Sequence, residues 1–358
     1  MNIDLNTIIK INKIIERDKL ESSYKLALLK SLILTIKKFD HHIIKNEEFV
    51  KIPFYFIVEE WFFYYIPFVF LDIKQHKSKK LVLNSKIEKL YQDIFVNFKV
   101  CQKEDWKCIY SMIYKKYYNF ELDTKEIFKE FRKLIISNPM KYMGEKEYEI
   151  FPKEKIIRIK SVNRKKFEEF GFFEIDKNIY YVFKYLGDNF YGINTIISRW
   201  EELLNKINIF TELKNIKEIL IHNIDEIIRD TSEVRNIFNN KKLYCIWTGK
   251  KIEKYDIDHM LPFSVFFNND YWNLLPADKK INNKKRDKIP SIELIAKSED
   301  RILYYWELYQ KEFKEFDNQR FISLGKFSDE KDYIEQIKKK SSFFINILGY
   351  QEFNIRKS

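Results

Sequence analysis

Asp258 and His259 stand side by side in the stretch Tyr255-Asp256-Ile257-Asp258-His259. Two asparagines follow at defined distances: Asn273 comes 14 residues after the histidine and Asn282 comes 23 residues after it. A basic run, Lys279-Lys280-Ile281-Asn282-Asn283-Lys284-Lys285-Arg286, surrounds the second asparagine. A carboxylate beside a histidine, a distant amide and a cationic helix are the parts needed to hold one hard cation against a phosphodiester. Oxygen donors of this kind suit Mg²⁺ or Mn²⁺. An imidazole, with an ordinary pKa of about 6.5, is mostly neutral near neutrality and able to take a proton.

These residues need elements to bring them together. Residues 243–250, followed by Ile252 and Tyr255-Asp256-Ile257, read as a hairpin with Gly249 at the turn. Its second strand delivers Asp258 and His259 at its end. Pro262 opens an irregular loop through Asn268-Asn269-Asp270, and Asn273-Leu274-Leu275 form a short extended piece before Pro276. Asp278 is placed to cap a helix running through Asn282 and Lys285. The resulting local order is strand, strand, helix.

With those residues in that order, the segment resembles the HNH endonuclease family, whose nuclease core is a ββα-metal module. It is especially similar to the HNH domains of RNA-guided CRISPR nucleases, through Asp256-x-Asp258-His259, Pro262 three residues on, and Asn273…Asn282-x-x-Lys285. The resemblance covers about residues 243–291. Upstream, residues 22–32 and 64–67 resemble stand-alone HNH proteins with a helical N-terminal part.

The resemblance implies that Asp258 binds a divalent metal, Mg²⁺ or Mn²⁺, through its carboxylate, and Asn282 through its side-chain carbonyl. His259 is the implied general base, and Asn273 the residue that fixes the loop and the histidine's orientation. Lys285 and Arg286, with Lys279, Lys280 and Lys284, are the implied grips on the phosphate backbone. The implied reaction is attack of water on DNA, leaving 5′-phosphate and 3′-hydroxyl ends, in a setting of restriction or defence. Homodimerisation, or a partner protein held by the helical N-terminal region, is a further expectation. Many family members carry two Cys pairs around a structural zinc. Here Thr248, Asp278 and Ile281 stand where ligands are needed and only Cys245 is present, so no structural zinc is expected. Packing by Trp247, Trp272, Leu274 and Phe263 is expected in its place.

Other readings stay open for several of these residues. Asp256 is either a second carboxylate near the metal or a structural partner for a lysine, and Asn283 rivals Asn282. The basic run is either a phosphate-binding surface or an ordinary solvated face. The whole site has two competing functional readings: an RNase or nuclease toxin, and a non-catalytic nucleic-acid-binding protein with a relict site. No function is assigned to His41, His42, His76 or His222.

The 358 residues are enough for two or three domains and a sizeable core, and 45% hydrophobic content excludes a wholly disordered chain. Only 7 Gly and 7 Pro favour long helices over a loop-rich β fold. The net charge of +12 is compatible with polyanion partners. Cys101, Cys108 and Cys245 make no disulfide-like pattern, Cys101 and Cys108 reading as core residues, and no basic-then-apolar leader opens the chain; a cytoplasmic location is expected. The most apolar stretch, residues 52–71, holds Glu59-Glu60 at its middle and Pro67 near its end, so it reads as a buried helix and no membrane association is expected.

Helices are predicted over residues 6–40, 54–65, 87–98, 124–136, 163–170, 194–207, 216–238, 299–316 and 329–347, and short strands over 150–159 and 179–183. The predicted fold is mainly α with a small α+β part: a helical N-terminal domain (1–140), a mixed connecting region (141–215), the HNH module (216–300) and C-terminal helices packing on it (301–358).

Overall fold

The computed structural model describes residues 4–77, 82–98, 105–153, 159–191, 196–208, 216–221, 231–238, 241–266 and 268–355. The chain divides into two compact units, 1–222 and 223–358. Each is built around its own core.

The first unit is helical. Asp4 caps α1 (Leu5–Arg17) by accepting from the Asn6 and Thr7 N–H groups, and α2 (Tyr24–Phe39) follows. Ser23 precedes α2 but does not cap it; its hydroxyl lies 3.0 Å from the Tyr65 hydroxyl instead. The strands β1 (Ile44–Lys45) and β2 (Phe49–Pro53) lead into α3 (Phe54–Phe70), whose residues are buried up to Val69. A helix this apolar belongs at the centre of a core. Its two carboxylates are tolerated because each has a cation: Lys38 Nζ lies 2.5 Å from Glu60, and Arg164 Nε 2.6 Å from Glu59. Aromatic rings fill the surroundings, with Trp61, Tyr65 and Phe131 in mutual contact. Around α3 come α4 (Ser85–Phe95), α5 (Trp106–Tyr118), α6 (Lys125–Ser137) and the single turn α7 (Pro139–Tyr142).

Two expectations for this unit are corrected. Residues 179–183 are not a strand but part of α8 (Lys177–Tyr191). The run Ile179-Tyr180-Tyr181-Val182-Phe183 has strand-like residue types, yet Asp176 supplies the helix-start signal by accepting from Asn178 N–H at 2.7 Å. The strand precedes it: β3 (Phe172–Asp176) pairs antiparallel with β2, setting Val50 opposite Ile175 and Ile52 opposite Phe173. Of the strand expected over 150–159, residues 150–153 and 159 are not in a strand and 154–158 lie outside the described residues. Residues 164–170 form a 3₁₀ segment opened by Asn163. The unit ends with α9 (Ile196–Ile207) and α10 (Ile216–Ile221). The long helix expected over 216–238 is seen as α10 and α11 (Ser232–Ile237), and 222–230 lie outside the described residues. Cys101 and His222 lie outside them too; Cys245 is a free buried thiol, while Cys108 is disulfide-bonded, unlike the expectation. No helix among the described residues is long and apolar enough to cross a membrane.

In the second unit, β4 (Leu243–Tyr244) pairs with β5 (Lys251–Ile252) around the Gly249 turn, where φ is +70°. The strand bearing the candidate residues, β6 (Tyr255–His259), does not pair with that hairpin as expected. It pairs antiparallel with β7 (Leu274–Asp278), which runs on through Pro276, and sets Asp258 opposite Leu275 and His259 opposite Leu274. Pro276 supplies no N–H, but its carbonyl accepts from Ile246 N–H at 2.9 Å, tying β7 to the hairpin turn. A one-turn helix, α12 (Phe263–Phe266), lies between the two strands. The site helix α13 (Lys279–Lys285) follows β7 directly, capped by Asp278 through Lys280 and Ile281 N–H. The remainder is β8 (Ile289–Pro290), the long helix α14 (Ile292–Glu312), α15 (Phe316–Leu324), α16 (Glu330–Asn346) and β9 (Glu352–Phe353), which pairs parallel with β8.

The helix α14 holds the module from behind through its polar aromatic tips. Trp306 Nε1 donates to the Trp272 carbonyl at 2.9 Å and the Tyr309 hydroxyl to the Leu274 carbonyl at 2.5 Å. The Tyr305 hydroxyl donates to Tyr244 O at 2.8 Å and accepts from Tyr244 N at 2.9 Å. Arg301 Nε reaches the Ile246 carbonyl at 2.8 Å. Side chains of one helix thus steady backbone groups of β4, β7 and the hairpin turn.

Candidate active site

Asp256 and Asp258 are two apart on β6 and therefore share a face of the strand. Asn282 and Lys285 are three apart on α13 and share a face of the helix. The two faces meet. Asn282 Nδ2 donates to Asp256 Oδ2 at 3.3 Å, and Lys285 Nζ donates to Asp258 Oδ1 at 2.9 Å. Asn283 is exposed, whereas Asn282 is half-buried on the helix face that meets β6.

Asp258 is 3% exposed and both its oxygens are engaged. The Trp247 indole N–H donates to Oδ2 at 2.7 Å, opposite the Lys285 bond to Oδ1. Lys285 also donates to the His259 carbonyl at 2.6 Å and is 0% exposed. The Trp247 and Lys285 bonds are both charge-assisted and together they orient the Asp258 carboxylate. Lys285 was expected on a phosphate-gripping surface. The structure puts it inside, as the counter-charge of Asp258, because a carboxylate this deeply buried is costly without one.

His259 is adjacent to Asp258 on a pleated strand, so the two side chains leave toward opposite sides. Its ring lies edge-on to Phe263, with centroids 5.2 Å apart, and Nε2 is 2.9 Å from Asn269 Oδ1. An amide oxygen only accepts, so in the tautomer that makes this bond Nε2 carries the hydrogen. Asn273, 0% exposed, is a loop clasp: Oδ1 accepts from Leu261 N at 2.7 Å, and Nδ2 donates to Leu261 O at 2.9 Å and Asn268 O at 3.1 Å. It thereby ties together both ends of the loop that carries Asn269 to the histidine. Asp270 caps the arrangement, accepting from Trp272 Nε1 at 3.1 Å and from the Ser323 hydroxyl.

Lys279, Lys280, Lys284 and Arg286 are exposed on or just after α13. Arg286 ends the helix with φ +50°. Two contacts at the candidate site were beyond sequence reasoning: Trp247 was expected only to pack, and Asn269 was read only as loop. Burial of a tryptophan, whose indole N–H needs an acceptor, was the available signal for the first.

The candidate metal ligands fit a hard divalent ion. The shared faces offer carboxylate and amide oxygens. Among the described residues no group of three or more His, Cys, Asp or Glu gathers to enclose an ion. Carboxylate and amide oxygens are donors of the kind that hard divalent ions take.

Residues 4–221 match the family model described as Domain of unknown function (DUF8808), which covers more than half of the chain, so the chain belongs to that family. Residues 245–291 match the model described as HNH endonuclease, the segment containing β5, β6, β7 and α13. The second unit therefore contains a domain of the HNH endonuclease family, whose nucleases generally use divalent metal ions. A curated relative is the CRISPR-associated endonuclease Cas9 of Listeria innocua, 32% identical over 108 residues, covering 27% of this chain and 8% of that protein. The likeness thus spans a small part of the relative's length. No solved structure matches the chain.

Proposed function

We propose that this chain is a metal-dependent endonuclease that hydrolyses phosphodiester bonds in DNA. The observation that carries the reading is the meeting of the Asp256–Asp258 face of β6 with the Asn282–Lys285 face of α13, beside an imidazole whose Nε2 is held by Asn269. Asp258 and the Asn282 carbonyl oxygen would hold Mg²⁺ or Mn²⁺, with Asp256 steering the Asn282 amide so that Oδ1 faces the ion. A bound divalent ion supplies stabilisation of charge on the phosphate and on the departing 3′ oxygen.

The protein's own part is orientation and proton transfer. Asn269 fixes the His259 tautomer, so Nδ1 takes the proton from the attacking water. Asn273 acts through the loop as a positioning residue. Lys285 neutralises Asp258 and keeps it aimed, while exposed Lys279, Lys280, Lys284 and Arg286 contact phosphates on either side of the cut. His259 is 1% exposed, so substrate entry must draw back the cover over the ring. A single such centre cuts one strand, and a double-strand break takes a homodimer, a partner or two successive nicks. A place in restriction or defence against foreign DNA extends the likeness to a CRISPR-associated endonuclease.

Incubation of the protein with plasmid and with labelled RNA, in Mg²⁺, Mn²⁺ or chelator, tests the proposal. Metal-dependent nicking or linearisation of DNA is expected. Cleavage of RNA alone would reassign the substrate. Binding of either nucleic acid without cleavage under every metal condition would favour a relict site.

A further inference from the structure

The first unit contains a cavity of about 300 Å³ lined by its own residues. Its walls come from the end of α5, the loop into α6, the first turn of α6 and residues 162–164, with Tyr55 of α3 among the lining residues. Behind it runs a buried relay. The Tyr117 hydroxyl donates to Glu59 Oε1 at 2.5 Å, Arg164 Nε donates to the same oxygen at 2.6 Å, and the Tyr55 hydroxyl lies 3.0 Å from that of Tyr117. The relay satisfies the buried carboxylate and leaves the far end of the guanidinium over. Arg164 is 6% exposed and stacks 4.6 Å from the Tyr118 ring, and its two terminal nitrogens have no hydrogen-bond partner among the described residues. They belong to a residue that lines the cavity.

A second donor group converges on the same space. Thr124 and Lys125, the N-cap and first residue of the 13-residue α6, line the cavity, and the Thr124 side chain makes no capping bond. First-turn N–H groups lack intrahelical acceptors and carry the positive end of the helix dipole, which favours an anion. Glu121 and Asp123 also line the cavity but are exposed, and Asp123 Oδ1 already accepts from Lys125 N at 3.0 Å. The space is several times what an inorganic phosphate fills, and Phe120 with the two tyrosines gives it an aromatic wall suited to a flat ring.

We propose that this cavity binds a free nucleotide, its phosphate between Arg164 and the start of α6 and its base against the aromatic wall. Arginine's fork is suited to phosphate oxygens, and stacking on the wall distinguishes a nucleotide from phosphate itself.

Calorimetry on the full chain tests this with inorganic phosphate, the four nucleoside monophosphates and a single-stranded hexanucleotide. Two variants, Lys125→Glu and Val162→Trp, invert the charge at the mouth and fill the space without touching the Glu59–Arg164 pair. The expected result is that at least one nucleoside monophosphate binds with a Kd below about 100 µM. Each substitution should weaken it at least about tenfold, with circular dichroism and melting unchanged. Three results overturn the proposal: no nucleotide binding into the millimolar range, nucleotide binding no tighter than phosphate, or binding that both variants leave intact. A hexanucleotide that binds while no mononucleotide does overturns it as well, assigning the cavity to polymer contact.

Discussion

Lys285 has a fully buried ammonium whose bonds to the Asp258 carboxylate and the His259 carbonyl make it part of the site's frame. Lys285→Met takes the ammonium away from the buried Asp258 carboxylate, and removal of one partner of a buried pair costs about 3–5 kcal/mol. Denaturant unfolding should show a loss of that size. Because a cation that binds only the folded state stabilises it, millimolar Mg²⁺ should raise the melting temperature of the variant more than that of the wild type. Equal shifts would contradict the placing of an ion beside Asp258. At His259, replacement by Ala should lower single-turnover cleavage about 10²–10⁴-fold, the range for loss of a positioned base, with the melting curve showing a folded protein. At this scale the types and spacing of Asp258, His259, Asn273 and Asn282 pointed to the segment that β6, β7 and α13 build. The roles of Trp247, Asn269 and Lys285 were not legible, because each depends on which segment packs against which.

The element that brings the two halves of the site together is α13, only seven residues long and so marginal by itself. Asp278 was recognised as its cap from residue type alone, and the structure has that carboxylate accepting from Lys280 at 2.9 Å and Ile281 at 3.2 Å. Asp278→Ala should cost about 1 kcal/mol and, since Asn282 and Lys285 both ride on this helix, lower cleavage as well; stability loss with full activity would show that the helix does not position the site. The strand pairing was misread where two strand-like segments were close in sequence. Residues 243–250 and 255–259 looked like one hairpin, whereas β6 takes its partner from β7, across a loop held by Asn273. Local pattern finds strands but not partners. The same limit produced the misreading of residues 179–183, where β-branched and aromatic side chains belong to a helix that buries Ile179, Tyr180, Val182 and Phe183 in the core of its unit.

At the scale of the molecule, two units have separate cores, and the first holds buried charge of its own. Burial pushes the Lys30 ammonium down to about 8 from its usual 10.5. Its Nζ donates to the Leu220 carbonyl at 3.2 Å and sits 4.3 Å over the Tyr64 ring. The charged form is disfavoured in the folded state, so below pH 8 this group opposes folding in full. Between about pH 8 and 10.5 the unfolded chain binds more protons, and stability from this group rises with pH. Lys30→Met should therefore raise stability at pH 7, on the order of 3 kcal/mol, and flatten the rise between about pH 8 and 10.5; a variant with an unchanged pH slope would show that Lys30 is not the titrating group. The mainly helical class was legible from the low Gly and Pro content and from apolar periodicity. The support of the module by α14 was not, because it depends on Tyr305, Trp306 and Tyr309 reaching backbone carbonyls far away in sequence.

The central claim is that Asp258 and Asn282 bind one divalent ion while His259 moves a proton without binding it. Calorimetric titration of Mn²⁺ into wild type, His259→Ala and Asn282→Ala tests it most directly. Wild type and His259→Ala should bind one ion with closely similar affinity, and Asn282→Ala should bind at least about tenfold more weakly. Loss of the ion in His259→Ala, or its full retention in Asn282→Ala, would contradict the account.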